Sequence, residues 1–290
     1  MQIAIASGKG GTGKTTVATN LAAYFSRTGM DVSLIDCDVE EPNAHFFLTP
    51  QWKDEKKETV PVPRIDHDKC LGEECRKCIE LCRFNALIWM VDAVLEFPEL
   101  CHGCGLCTIA CPASAIEEST RSLGISRVGQ KDSISLYSGL LRIGEAMAPP
   151  LIKKVKQRAL TEHPAPDVRL IDCPPGATCP VVEALEGSDA AILVTEPTPF
   201  GLHDLRIAVE LLRKMEVPFG VVINRAGMGD DRVHDYLKEE NIALLGELPH
   251  SMEAASSYSE GKLLIEQVPG YEKVISQIAQ NIQNMAKSTR

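Results

Sequence analysis

The sequence predicts an α/β protein: a doubly wound, mostly parallel sheet interrupted by a small inserted α+β unit. Three observations predict it. Short continuous apolar runs alternate with stretches of helical spacing, a Gly-rich loop joins the first apolar run to the first helix, and eight of the eleven cysteines crowd into residues 70–111. Apolar runs without polar alternation fit strands buried on both faces. Their alternation with helices fits a doubly wound sheet.

Taken in order, Gln2 to Ala6 reads as a buried strand, and Lys14 to Arg27 as a helix with Val17, Leu21, Ala22 and Phe25 on one face, ended at Gly29. Val32 to Ile35 is the next strand. Residues 51–63, rich in Lys, Glu and Pro, read as a linker. From Arg64 to Glu118 the chain repeats itself: a shift of 29 positions lays Cys75, Cys78 and Cys82 on Cys104, Cys107 and Cys111. A duplicated unit of this kind makes a pseudo-twofold module. The expected division is a discontinuous main domain, residues 1–62 and 119–290, around an insertion of residues 63–118. The α/β rhythm resumes with a strand within Ser133–Leu141 and a helix over Leu151–Leu160. Strands follow at Val168–Ile171, Ala190–Thr195, Gly220–Ile223 and Ala243–Leu248, with helices at Leu202–Met215 and Glu272–Met285. The last helix carries a stripe of Val274, Ile275, Ile278, Ile282 and Met285, but its polar face is Gln and Asn, with few cations and no Trp or Phe. It is expected to pack on the sheet rather than to lie in a membrane interface.

The 290 residues suit one α/β domain plus an insertion, and 44% hydrophobic residues suffice for a substantial core. A net charge of −10 argues against binding nucleic acid or an anionic membrane. Residues 64–118 hold half of it, ten Asp/Glu against five Lys/Arg. Met1–Ala6 is too short for the apolar core of a secretory signal, and no stretch approaches a membrane span. The cysteines therefore read as metal ligands in a reducing cytoplasm.

Gly8-Lys9-Gly10-Gly11-Thr12-Gly13-Lys14-Thr15-Thr16, set between a strand and a helix, is a Walker A loop. Backbone N–H groups of Gly10 to Lys14 would cradle phosphates at the helix N-terminus. Lys14 would neutralise the β and γ oxygens, and Thr15 would offer its hydroxyl to Mg²⁺. With its second lysine, Lys9, the loop resembles the deviant Walker A of the MinD/ParA family, which includes the nitrogenase iron protein and the Mrp-type iron–sulfur carriers. That resemblance extends over nearly the whole chain and implies a P-loop NTPase of SIMIBI type and a homodimer with ATP sandwiched between subunits. It implies that Lys9 reaches the partner's nucleotide like an arginine finger, a group worth about 10³–10⁵ in rate. Ile35-Asp36-Cys37-Asp38 looks like the family's switch I, with Asp38 positioning the attacking water and Asp36 in the metal shell. Leu170-Ile171-Asp172-Cys173-Pro174-Pro175-Gly176 looks like Walker B and switch II, with Asp172 holding Mg²⁺. Guanine readers use Asn-Lys-x-Asp. Here Asn224-Arg225-Ala226-Gly227 lacks the acid, so Asn224 is assigned to the base edge and ATP is favoured over GTP.

Cys101-x2-Cys104-x2-Cys107-x3-Cys111-Pro112 has the bacterial ferredoxin spacing, in which the fourth cysteine serves the other cluster. One [4Fe–4S] cluster is then assigned to Cys70, Cys75, Cys78 and Cys111, and a second to Cys101, Cys104, Cys107 and Cys82. Zinc also takes paired Cys-x2-Cys motifs, but the duplicated rhythm followed by proline is specific to cubanes. The first run departs from it, with four residues between Cys70 and Cys75 and Arg83 in place of proline. His102 lies between ligands and reads as a loop histidine.

Cys37 and Cys173 are expected to be small buried side chains. Cys179 stands seven positions after Asp172, the spacing of a cluster-ligating cysteine in the nitrogenase iron protein. That protein's second ligand, upstream of switch II, has no counterpart here. The resemblance leaves Cys179 either a buried thiol or a thiol near a dimer axis that helps handle a metal centre. The expected activity is hydrolysis of ATP, slow and partner-stimulated. Its first expected use is to gate electron transfer through two [4Fe–4S] clusters to an unidentified redox partner. The alternative is a scaffold or carrier in iron–sulfur or metallocofactor assembly. A DNA-bound organiser lacks a basic run, and an amidase-type synthetase would need a glutamine amidotransferase domain for which there is no room.

Overall fold

The computed structural model describes residues 1–288. Its main sheet has nine strands, ordered β11-β10-β9-β1-β8-β2-β7-β6-β3. Strands β1 (Gln2–Ala6), β2 (Val32–Asp36), β7 (Ile134–Leu141), β8 (Val168–Asp172), β9 (Ala190–Thr195), β10 (Phe219–Ala226) and β11 (Leu244–Pro249) run parallel. Their side chains alternate between two cores. Ile3, Ile5 and Leu34 face the layer that holds α1 (Lys14–Arg27) and α11 (Tyr271–Ser288). Ala4, Ile35 and Ile171 face the layer of α5 (Pro149–Glu162), α6 (Cys179–Leu185), α7 (Pro199–Lys214) and α8 (Arg232–Glu239). Ile275, Ile278 and Ile282 of the last helix are buried in the first core, and Asn281 Nδ2 donates to Leu245 O at 2.8 Å, so the stripe packs on the sheet as expected.

One expectation is overturned. Residues 51–63 are not a linker: they lie in the edge strand β3 (Gln51–Ile65), antiparallel to β6 (Ile116–Lys131), which in turn pairs antiparallel with β7. The Lys/Glu run is the charge of an edge, where it discourages pairing with other chains. Glu55 pairs with Arg127 at 2.7 Å, Asp54 with Arg158, and Glu58 accepts from Ser126 Oγ at 2.7 Å. Pro61 and Pro63 are tolerated because edge strands have free positions for residues without an N–H.

β7 pairs with β6 only over residues 124–131, so the rest of the β3/β6 ribbon projects past it. Residues 66–115 hang on its end. They contain α3 (Lys77–Leu81), α4 (Leu106–Ala110) and the hairpin β4 (Leu87–Met90) with β5 (Ala93–Glu96). The 29-residue repeat is visible in the backbone: left-handed residues Arg76 and Asn85 in one half match Gly105 and Ser114 in the other.

Candidate functional site

β1 lies between β8 and β9, and its C-terminal end feeds the Gly-rich loop into α1. Two glycines of the loop are dictated by neighbours. Gly13 caps α1 at φ 100°, and a Cβ there would strike the Asn224 amide. A Cβ on Gly8 would strike the Asp204 carbonyl of α7. Ser7 Oγ donates to Lys9 O at 2.6 Å, and Asn224 Nδ2 donates to Thr12 O at 2.8 Å. Thr19 and Asn20 hold the first turn of α1 through Thr15 O and Thr16 O, both at 2.7 Å. Lys14 and Thr12 are buried, and Thr12 Oγ1 has no hydrogen-bond partner. Gly10 and Gly11 form the open part of the loop, with Lys14, Thr15 and Thr16 beginning the helix. Asn224 Oδ1 accepts from Arg225 N at 2.9 Å, so this side chain braces the loop.

Asp36 and Asp172 end adjacent parallel strands in register. Both are 1% exposed. Asp36 accepts from Asp38 N at 3.2 Å and Ala44 N at 3.1 Å, which ties the strand to the following loop. Asp172 makes no hydrogen bond of normal geometry, although the Thr15 hydroxyl faces it and partly offsets the cost of its charge. Burial pushes its carboxyl up to about 7, and burial with the neighbouring Asp172 charge pushes Asp36 well above the carboxylate range. An orphaned buried carboxylate beside a second one and a hydroxyl is a donor set that fits a hard divalent cation. Asp38 is half-buried, raised by burial and lowered in part by Glu41 N and Lys14. Gly176 N donates to Ser7 O at 3.1 Å, fastening the second switch segment to the loop. The two segments flank a groove lined by Asp38, Glu41, Ala148, Pro175 and Thr178.

Sequence reading missed Glu196 and Arg225. Lys9 Nζ lies 3.4 Å from Glu196 Oε2, and Glu196 also pairs with Arg225. The signal was available: Glu196 follows the strand of β9 as closely as Asp36 and Asp172 end theirs.

Beyond the ribbon the cysteines sort into two cavities. Cys70, Cys75, Cys78 and Cys111 line one, while Cys82, Cys101, Cys104 and Cys107 line the other, which Cys78 also borders. Backbone N–H groups point at three of the sulfurs: Ala86 to Cys82 at 3.4 Å, Gly103 to Cys101 at 3.4 Å, and Ala115 to Cys111 at 3.2 Å. Such bonds favour the thiolate. Burial opposes it, pushing Cys78 up to about 11 and raising Cys101 and Cys107. All eleven cysteines are free thiols, and among the described residues no three His, Cys, Asp or Glu converge on a point for a single metal ion. His102 stacks on Phe84 with centroids 3.6 Å apart, so its ring packs at the mouth of the second cavity. Cys37 and Cys173 are fully buried side by side, as expected. Cys179 is exposed at the first turn of α6, which removes the buried reading for that thiol. Among the described residues no helix is long and apolar enough to cross a membrane.

The chain is 31% identical over 234 residues to an uncharacterised protein of Methanocaldococcus jannaschii, covering 80% of this chain and 83% of that one. It is 24% identical over 308 residues to a protein of Pyrococcus horikoshii named iron–sulfur cluster carrier protein, covering all of this chain and 88% of the relative. Among solved structures it resembles the septum site-determining protein MinD complexed with Mg-ADP from Pyrococcus horikoshii, with a TM-score of 0.61 and 19% identity, covering 100% and 98% of the two chains. These structures share the fold. Other relatives carry the names iron–sulfur cluster carrier protein and cytosolic Fe-S cluster assembly factor homolog. A family model described as the CobQ/CobB/MinD/ParA nucleotide binding domain matches residues 3–265, and the chain belongs to that family of P-loop proteins.

Proposed function

We propose that the protein binds and hydrolyses ATP and that its nucleotide state acts on two [4Fe–4S] clusters held by the inserted segment. The carrying observation is that eight cysteines line two cavities, Cys78 bordering both, at the end of a ribbon continuous with the nucleotide-binding sheet. A cube-shaped cluster spreads its thiolates over separate irons, so a cavity with four thiols on its walls suits it better than a point of convergence. When bound, such clusters supply one-electron chemistry or are handed on as cargo. The chain's own part is to hold them: two sets of four sulfurs, three already receiving N–H groups.

At the other end, the Gly8–Thr16 loop binds the triphosphate, Lys14 neutralises its oxygens, and Asn224 braces the loop through Thr12 O. Thr15, Asp36 and Asp172 would hold Mg²⁺, which supplies charge neutralisation at the β and γ phosphates. Asp38, facing Lys14, accepts a hydrogen bond from the attacking water. Lys9 leaves Glu196 to reach the nucleotide of a second copy in a sandwich dimer, and Cys179 lies exposed beside the second switch.

Two uses of this machine differ in what leaves the protein. The complete four-cysteine sets favour resident clusters passing electrons to a redox protein. The names of the 22–25% identical relatives favour an iron–sulfur carrier. Anaerobic holo-protein incubated with an apo-acceptor and a chelator decides between them. Iron that stays while the reduction potential moves with nucleotide supports electron transfer, whereas ATP-dependent loss of intact clusters supports carriage. Stoichiometric zinc without iron would overturn both.

A further inference from the structure

One continuous set of contacts joins the groove between the switches to the second cysteine cavity, and nucleotide chemistry does not use it. Val39, between Asp38 and Glu40, accepts through its carbonyl from Leu141 N at 2.8 Å. Gly139 is wedged so tightly that a Cβ there would lie 2.8 Å from both Val39 and Val155. Past Leu141, Arg142 N donates to Leu123 O at 2.8 Å, and the chain turns back so that Ala148 borders the switch groove. Within this turn sits Glu145, its side chain 1% exposed. One carboxylate oxygen accepts from Met147 N at 3.1 Å. The other pairs with Arg121, and Arg142 stands 3.8 Å away.

Arg121 is the unusual partner. It is buried, and its Nε and Nη2 groups have no hydrogen-bond partner. It stands opposite Val60 on the ribbon, and Val60 packs on Gly103 between Cys101 and Cys104. Desolvated guanidinium N–H groups left without acceptors are costly. They make sense next to a group that becomes anionic, as four thiolates around a cluster do. Resting on the cluster reading above, we propose that Arg121 is the positive group that tunes the cluster bound by Cys82, Cys101, Cys104 and Cys107, and that Glu145 adjusts that charge when nucleotide moves the first switch. Neither residue belongs to the Gly8–Thr16 loop or to either switch segment. Both are positioning residues, joined to Val39 through Leu141 and Arg142.

The sign of the effect follows from charge. A cation beside the cluster favours its reduced, more negative form, and a neutralising carboxylate opposes that. The test is EPR-monitored redox titration of anaerobic holo-protein with ADP and with a non-hydrolysable ATP analogue. Iron and sulfide analysis comes first: wild-type protein without about eight irons per chain rejects the cluster reading itself. With two clusters present, Arg121→Gln should move one of the two potentials negative, and Glu145→Gln should move the same one positive. The other cluster should stay put, and ATP hydrolysis should persist. The double variant Arg121→Gln/Glu145→Gln removes both charges without orphaning either. It should lose the nucleotide-dependent shift, and Arg121→Lys should restore part of it. Opposite signs from the two single variants are not the mark of general structural damage. Potentials unmoved in the variants, or a wild-type potential indifferent to nucleotide, would overturn the proposal.

Discussion

The nucleotide-binding core and the cysteine segment solve the problem of stability differently. In the core, strands such as β1, β2 and β8 are almost entirely buried and sandwiched between two large apolar clusters. The segment past the ribbon has two small ones: Val60, Val62, Ala86, Cys101 and Leu123 form the first, and Ile65, Leu87 and Val94 the second. It leaves Val91 90% and Ile109 84% exposed, with its thiols where a larger domain would place leucines. Some fifty residues cannot bury enough apolar surface alone, and domains of that size usually rely on metals or disulfides. On the proposed reading, inorganic centres would be the structural interior of this segment as well as its chemistry, while the core has two large apolar clusters of its own.

The largest expected effect tests the independence of the two regions. Lys14→Ala removes the buried cation at the start of α1 and should lower ATP hydrolysis by about 10²–10³-fold. Iron content per chain should stay at the wild-type value. If iron falls with hydrolysis, the two regions are not separable and the comparison fails. The second test strips the metal. Anaerobic chelation should raise amide hydrogen exchange across residues 66–115 by about 10²-fold or more while β1, β2 and β8 keep their protection. Protection that survives chelation would mean the segment has a core of its own.

The two regions also differed in legibility. The buried parallel strands and α1 were readable because each is a short apolar run or an amphipathic stretch with few rivals. Residues 51–63 read as a linker because an edge strand, charged against pairing and tolerant of proline, carries the same composition as a loop. Its partner Ile116–Lys131, rich in Ser, Gly and Arg, gave no signal of a strand at all, because the register comes from pairing rather than from local pattern. The Gly-rich loop and the cysteine rhythm were visible from spacing alone. Glu196 and the Arg121–Glu145 pair were not, since each depends on residues 24 to 187 positions apart meeting in space.

The smallest effect lies within the core and concerns the carboxylates that the fold buries without partners. Asp172 titrates at about 7 instead of near 3.8, through burial, and Asp36 is raised too. Between those two values the native state binds more protons than the unfolded chain. Its stability must therefore fall as pH rises through that window, the reverse of a salt-bridged carboxylate. Asp172→Asn removes the main contribution. At pH 8, without Mg²⁺ or nucleotide, the variant should melt about 3–6 °C above wild type. Near pH 4, where Asp172 is protonated in the native state, the difference should vanish. Mg²⁺ with ADP should close the gap from the other side by stabilising the ionised carboxylate of wild type alone. Parallel melting curves for the two proteins across the whole range would show that Asp172 is solvated or paired, and that burying this carboxylate costs the core nothing for a bound cation to relieve.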